Sequence, residues 1–115
     1  MSDCCSTGSP CVNRYICMIQ GNTLSFGVEF KGLDQDLTTA TFTVKSSYGG
    51  DLIFQKSLGN GITKVETNKY RVRVAPEDTE DVAAGNYFYN FEIGVNSDKF
   101  TIIKGILEIQ ENISL

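Results

Sequence analysis

Residues 76–93 carry the pattern that decides the fold, reading Pro-Glu-Asp-Thr-Glu-Asp-Val-Ala-Ala-Gly-Asn-Tyr-Phe-Tyr-Asn-Phe-Glu-Ile. From residue 87 to residue 95, the odd positions fall on one face and the even positions on the other. The odd positions are all aromatic or β-branched, which is typical of a β-strand with one buried face. Pro76 cannot continue a sheet, because proline lacks the amide donor and fixes its φ angle. The stretch therefore predicts a corner where the chain crosses between two packed sheets.

The rest of the chain shows the same alternation in shorter segments, which are separated by glycine- and asparagine-containing turns. Residues 77–82 can form one helical turn, with Pro76 at its start. The phase of the last segment shifts near Gly105, which indicates a β-bulge or a bend. The predicted strands cover residues 14–20, 24–31, 40–45, 52–54, 62–65, 69–74, 87–95 and 99–110, with 62–65 as a brief edge strand.

These short strands, with no helix of ordinary length, predict an all-β fold: an immunoglobulin-like antiparallel β-sandwich of seven to eight strands. Tyr87 begins the penultimate strand, where immunoglobulin-type sandwiches have a tyrosine corner whose hydroxyl bonds back to the upstream chain. Tyr87 fits that position better than Tyr89. We therefore predict Pro76 and Tyr87 as the structural corner, although the Cys-Trp-Cys pattern of antibody domains is absent.

Composition limits both the domain count and the kinds of partner. A chain of 115 residues is long enough for one core, and we expect a flexible cysteine-rich arm over residues 1–13 before a single sandwich domain over residues 14–115. The net charge of −4 and the scattered basic residues argue against a nucleic-acid partner. No apolar run reaches the roughly 18 residues of a membrane span. The first residues do not resemble a signal peptide, so we expect synthesis in the cytoplasm.

The four cysteines are crowded into the first 17 residues, as Cys4, Cys5, Cys11 and Cys17. A secreted disulfide scaffold spreads its cysteines over the fold, and zinc sites use C-x2-C spacings that are missing here. We therefore expect reduced thiols, with Cys17 as a small buried apolar residue of the first strand. The sequence assigns no role to the other three.

No residue is assigned a catalytic, cofactor-binding or metal-ligating role. The chain has no histidine, which removes the usual general base and the commonest metal ligand. The acidic residues within 77–81, and the pair Asp34 and Asp36, lack EF-hand spacing and are expected in solvated turns. A calcium site built from several loops stays open as an alternative. A hydrolase would have to use acidic residues alone, so we expect the protein not to be an enzyme.

Four apolar residues fall out of phase with the buried faces of their strands, and we predict them as an interaction surface: Phe88, Ile53, Ile62 and Ile103. Exposed apolar patches on soluble proteins often mark association surfaces. Two alternatives remain open, namely that the N-terminal arm covers these residues or that bulges return them to the core.

Five short motifs carry a family resemblance. They read Gln-Gly-Asn-Thr-Leu-Ser at 20–25, Asn-Gly-Ile-Thr at 60–63, Val-Ala-Pro-Glu-Asp-Thr at 74–79, Ala-Gly-Asn-Tyr-Phe-Tyr at 84–89 and Lys-Gly-Ile-Leu-Glu-Ile at 104–109. In this order, the chain resembles the small immunoglobulin-like proteins encoded among bacteriophage and prophage structural genes. Within that group it is similar to the N-terminal domains of baseplate upper proteins. The resemblance covers roughly residues 16–110, and the cysteine-rich arm departs from it.

The resemblance implies a non-enzymatic virion component of the tail or baseplate that acts through protein–protein contacts. It implies other virion proteins as partners, with a homo-oligomer as a further expectation, and synthesis in the bacterial cytoplasm before incorporation into a virion. The alternative is an adhesion or carbohydrate-binding sandwich module. The absence of Trp counts against that alternative, while Tyr48 beside two glycines is the aromatic residue that could serve it.

Overall fold

The alternating segments of the sequence form strands close to the predicted positions. The fold is seen in a computed structural model that describes residues 15–30, 33, 35–47 and 49–113, without the side chain of Ile102. In chain order the elements are β1 (Tyr15–Ile19), β2 (Leu24–Glu29), β3 (Thr39–Lys45), β4 (Leu52–Leu58), β5 (Gly61–Glu66), β6 (Lys69–Val74), α1 (Pro76–Thr79), β7 (Gly85–Val95) and β8 (Asp98–Gln110).

The strands hydrogen-bond in the order β1-β8-β7-β3-β4-β5-β6-β2. Only two residue pairs join β4 to β5, so this junction is a narrow link between two layers. One layer contains β1, β8, β7, β3 and β4, and the other contains β5, β6 and β2. The pairings β3–β7–β8 and β2–β6–β5 match the two sheets of an immunoglobulin domain. The predicted all-β, immunoglobulin-like sandwich is therefore confirmed.

Two of the strand pairs are parallel, which departs from the purely antiparallel sandwich that the sequence predicts. β1 runs parallel to β8, because the chain leaves β1 for the other layer instead of returning beside it. β4 and β5 are parallel over their short contact. The chain changes layer there at Gly59 and Gly61, which have φ angles of 87° and 96° and so favour glycine. A Cβ atom on Gly61 would also lie 2.5 Å from Cδ of Lys56.

Phe42 lies at the centre of the core between the layers and is fully buried. Its ring centroid is 5.4 Å from that of Tyr89, 5.6 Å from that of Phe26 and 6.2 Å from that of Phe54. These residues come from four strands on both sides of the sandwich. Aromatic pairs at such separations are favourable beyond the area that they bury, so Phe42 connects the two layers.

Two β-bulges change which side chains face the core. Because of them, the prediction that Ile53 and Ile103 point outward is wrong. Val44 pairs with Phe54 while Lys45 pairs with Leu52, which makes Ile53 the extra residue. Between β7 and β8 the register also shifts, so that Ile103 comes opposite the buried Phe91. Ile53 and Ile103 are half-buried and pack against the core. An extra residue reverses the faces of the residues that follow it.

The predicted phase shift in the last strand exists, but it lies at residue 102 and not near Gly105. Glu92 pairs with Thr101, whereas Phe91 pairs with Ile103, so residue 102 is the one left over. Beyond this bulge, Leu107 and Ile109 are fully buried, as the alternation predicts.

The prediction of Ile62 as part of an interaction surface is also wrong, because this residue is fully buried. The sequence predicts residues 62–65 as an edge strand. In the structure, β5 lies between β4 and β6, and Ile62 pairs with the equally buried Val72. Ile62 and Val72 both belong to the core cluster, so the Ile62 side chain faces the interior between the layers.

The short helix α1 joins the two layers through its polar side chains. Asp78 Oδ2 accepts a hydrogen bond from the Ala75 amide at 2.7 Å and lies 2.6 Å from Lys56 Nζ. The hydroxyl of Thr79, which is fully buried, accepts a hydrogen bond from the Gly21 amide at 2.9 Å. Pro76 occupies the first helical turn, where its missing amide hydrogen has no cost. The Pro-Glu-Asp-Thr motif therefore forms the predicted corner.

Tyr87 completes this corner, since its hydroxyl donates a hydrogen bond to the Ala83 carbonyl at 2.5 Å. This is the backward bond of a tyrosine corner, and it confirms the choice of Tyr87. We expect Tyr87→Phe to lower the free energy of unfolding by about 1 kcal/mol, because only the hydroxyl is lost. Urea denaturation measures this change. A variant as stable as the natural protein would show that the bond contributes nothing.

The prediction of reduced thiols is wrong for Cys17. This residue is fully buried in β1 and forms a disulfide bond. Cys4, Cys5 and Cys11, like the predicted arm over residues 1–13, lie outside the described residues.

Candidate interaction surface

One row of side chains crosses the outward face of the larger layer. In strand register it runs from Tyr15 on β1 through Ile106, Phe88 and Lys45 to Leu52 on β4. We call these five residues the outer row. Phe88 and Ile106 are half-buried in the middle of the row, whereas Leu52 is 57% exposed at its end. The outer row therefore places apolar side chains on a face that points away from the core.

A polar row lies beside the outer row on the same face. It runs through Lys104, Asn90, Thr43 and Gln55, and Gln55 Nε2 donates a hydrogen bond to Thr43 Oγ1 at 2.8 Å. Between and around the two rows is a concavity of about 590 Å³, which we call the outer groove. Its lining consists of Thr43, Lys45, Ser47, Gly49, Leu52, Gln55, Phe88, Tyr89, Asn90, Glu92 and Lys104.

Of the four predicted surface residues, only Phe88 lines the outer groove. Leu52 takes the place that the sequence gives to Ile53, because the bulge in β4 turns Ile53 toward the core. The sequence contains an indirect signal for this exchange: Leu52, Ile53 and Phe54 are consecutive and apolar. In such a run either phase is compatible with a buried face, so the alternation alone does not identify the exposed residue.

Other exposed apolar side chains lie away from the outer groove. Val65 on β5 is as exposed as Leu52, at 57%, and Phe100 on β8 is 50% exposed. Ile113 follows the last strand and is also exposed. Single exposed apolar residues are common on protein surfaces, so the pairing of Leu52 with Phe88 in one concavity distinguishes the outer groove.

Two of the acidic residues that could suggest a calcium site form ion pairs with basic side chains. Asp36 lies 2.9 Å from Lys64, and Asp78 contacts Lys56 within the corner. The hydrogen bond with Asp36 raises the pKa of Lys64. Within residues 15–30, 33, 35–47 and 49–113, no three acidic or cysteine side chains group as metal ligands. Asp34 lies outside this part of the chain.

The sequence also makes predictions about Tyr48 and about membrane-spanning segments. Tyr48, the predicted sugar-binding aromatic residue, lies outside the described residues, although its neighbours Ser47 and Gly49 line the outer groove. Among the described residues, no helix has the length and apolar content needed to cross a membrane.

Comparison with known proteins adds no identification. No protein-family model matches this chain, and the curated proteins contain no match to it.

Proposed function

We propose that this protein is a non-enzymatic structural or assembly protein that acts through protein–protein contacts made by the outer groove. The observation that carries the proposal is the placement of Leu52 and Phe88 together in that groove. A partner that covers Leu52 removes from water a side chain that is 57% exposed, and burial of apolar surface is the main driving force of association.

The surroundings of this apolar pair fit a docking surface. Protein interfaces commonly combine an apolar centre with a polar rim that fixes orientation. Here Asn90 and Gln55 offer amide groups, while Lys45, Lys104 and Glu92 provide charges of both signs. A partner with the complementary pattern would be oriented by these groups and held by the apolar pair.

The kind of assembly is proposed from the sequence motifs. Their order resembles that of bacteriophage and prophage tail or baseplate proteins of immunoglobulin-like type, and the partners would then be other virion proteins or further copies of this chain. The structure gives two of these motifs a physical role, since residues 76–79 form α1 and Gly61 turns the chain between layers. Support for the virion assignment therefore comes from the resemblance, and support for docking comes from the groove.

A second candidate function is carbohydrate binding in the same groove. The observation in its favour is the combination of the Phe88 ring with amide and carboxylate groups from Gln55, Asn90 and Glu92. The volume of about 590 Å³ lies in the range of small-molecule sites, roughly 300–1,000 Å³. Sugars would use the ring for stacking and the polar groups for their hydroxyls.

The docking proposal predicts that Leu52→Ser weakens association by about tenfold, the effect of losing one buried aliphatic side chain. The measurement is the absolute mass by light scattering behind a sizing column, over a dilution series with reductant present. Val65→Ser is the matched control, because Val65 is equally exposed but lies on β5. A defined oligomer that Leu52→Ser weakens and Val65→Ser leaves intact supports the proposal. Equal effects of the two variants contradict it.

A protein that stays monomeric throughout the series would exclude self-assembly through the groove. A glycan panel then separates the two remaining functions. Binding of a glycan that is lost in Asn90→Ala would favour the carbohydrate module. A panel without binding would leave docking to a different virion protein.

A further inference from the structure

The outward face of the smaller layer carries its own pattern of polar side chains. On β6, the buried Tyr70 and Val72 alternate with exposed basic residues, which therefore point away from the core. Three rows cross this face in strand register, and every member of them is exposed. The first row has Ser25 and Arg73, the second has Gly27, Arg71 and Thr63, and the third has Glu29, Lys69 and Glu66.

The third row balances its own charge, whereas the arginines of the other two rows have no acidic partner. Lys69 Nζ lies 3.1 Å from Glu66 Oε2. Among the described residues, neither Arg71 nor Arg73 forms an ion pair, and their register neighbours in the first two rows carry no charge. We call Arg71 and Arg73 the arginine pair.

A hydrogen bond directs the guanidinium group of Arg71 toward Arg73. Arg71 Nη1 donates to Ser25 Oγ at 3.3 Å, and Ser25 is the register partner of Arg73 on β2. Two positive groups brought together in this way repel each other. A carboxylate beside them replaces this repulsion by attraction, because a guanidinium group binds a carboxylate through two parallel hydrogen bonds. The arginine pair therefore presents donors that suit an anionic group.

A shallow concavity of about 280 Å³ adjoins the arginine pair, with Gly27, Val65 and Arg71 among its lining residues. Apart from its chain neighbours, a Cβ atom on Gly27 would meet only the Tyr70 carbonyl oxygen, at 3.8 Å. The surface above this part of β2 is therefore open. On the β5 side, Val65 is 57% exposed, so the concavity offers apolar contact next to two positive charges.

We propose that an acidic, extended segment of a partner protein binds along β6 on this face. Its carboxylates contact the arginine pair, and an apolar side chain of the same segment enters the concavity beside Val65. Alternate residues of an extended chain project on one side at a spacing of about 6.6 Å. Arg71 and Arg73 are alternate residues of a strand and have the same spacing. This face belongs to the layer opposite the outer groove, so the proposal goes beyond the proposed function.

The surroundings of the arginine pair favour a protein segment over a nucleic acid. Nucleic acids are held mainly through their phosphates, and Glu29 and Glu66 in the adjacent row repel such a chain. A phosphate backbone also brings no apolar group to the concavity beside Val65. A protein segment supplies both a carboxylate and an apolar side chain.

The proposal is tested by an NMR titration of the full chain at low ionic strength with the synthetic peptide Glu-Thr-Glu-Thr-Leu-Thr. In its extended form both glutamates and the leucine lie on one side. We expect the amide signals of residues 25–29, 63–66 and 69–73 to shift most, and added salt to reduce these shifts. A peptide with glutamine in place of both glutamates should bind about tenfold more weakly. No shifts at low salt, or shifts spread over exposed lysines of both layers, would overturn the proposal.

Arg73→Gln should weaken binding of this peptide about fivefold, the effect of one exposed ion pair. Lys99→Gln is the matched control, because it removes the same charge from an exposed position of β8 on the other layer. Gly27→Val keeps every charge but fills the concavity. It should weaken the leucine peptide several-fold and leave a peptide with serine in place of leucine unchanged. Equal losses for Arg73→Gln and Lys99→Gln would reduce the binding to general attraction between charges and contradict the site.

Two other occupants would give different results. A single-stranded oligothymidylate of the same charge that binds more tightly than the peptide would assign the face to a nucleic acid. Concentration-dependent shifts without peptide, in these strands and in the acidic residues 77–81, would assign it to a second copy of this chain. Either result would overturn the partner segment. Docking through the outer groove is judged separately, from the effect of Leu52→Ser on association.

Discussion

Phe42→Ala should lower the free energy of unfolding by about 4 kcal/mol, because truncation of a buried aromatic ring is among the most costly changes to a protein core. Phe42 is fully buried and its ring meets three other aromatic rings from both layers. Truncation removes the transfer free energy of the ring and leaves a cavity that the surrounding strands cannot close. Urea denaturation followed by fluorescence or circular dichroism measures the loss.

Phe100→Ala is the matched control for this prediction, because the same group is removed at a position that is 50% exposed. A surface change of this kind should stay within about 0.5 kcal/mol. Similar losses for the two variants would show that the aromatic cluster around Phe42 does not hold the two layers together.

Asp78→Ala should lower the free energy of unfolding by about 3 kcal/mol, since it breaks a mostly buried ion pair and leaves one charge behind. The Asp78 carboxylate contacts Lys56 of β4 and accepts the Ala75 amide hydrogen at the start of α1. The side chains of Lys56 and Asp78 are only 13% and 17% exposed, so water cannot fully replace the lost partner. Glu77→Ala removes the same charge from the same helical turn at an exposed position and serves as the control.

A double-mutant cycle with Lys56→Met separates the two contributions of Asp78. In the double variant no charge is left unpaired. The loss in the free energy of unfolding should therefore be only about 2 kcal/mol, which is the effect of leaving the Ala75 amide without its acceptor. Additive losses from the two single substitutions would contradict the ion pair as a link between β4 and the corner.

The regular alternation of apolar and polar residues along the strands made much of the fold predictable from the sequence. On β7, Tyr89, Phe91 and Ile93 are buried as the period of two requires. The corner could also be predicted, because proline and tyrosine have specific local roles there. Both kinds of signal lie within a single short segment, where the sequence is directly informative.

The predictions that proved wrong depend on how separate segments pair with one another. A bulge exists only relative to the partner strand, and the adjacent apolar residues at 53–54 and 102–103 fit either phase. Ile62 faces the core beside Val72 of β6, and residues 62–65 alone do not reveal this register. The outer groove was only partly predictable for the same reason: Phe88 belongs to the regular strand β7, whereas the exposure of Leu52 depends on the register of two strands.

The parallel pairing of β1 with β8 has a consequence for protein synthesis. Tyr15 and Glu108, which meet across this pair, are separated by 93 positions in the chain. On the ribosome, β1 emerges first and must wait for nearly all the other strands before its neighbour exists. Closing so long a loop is slow compared with forming a hairpin. A nascent chain that stops before residue 106 therefore keeps an unpaired first strand, and translation must pass this point before the larger layer can be completed.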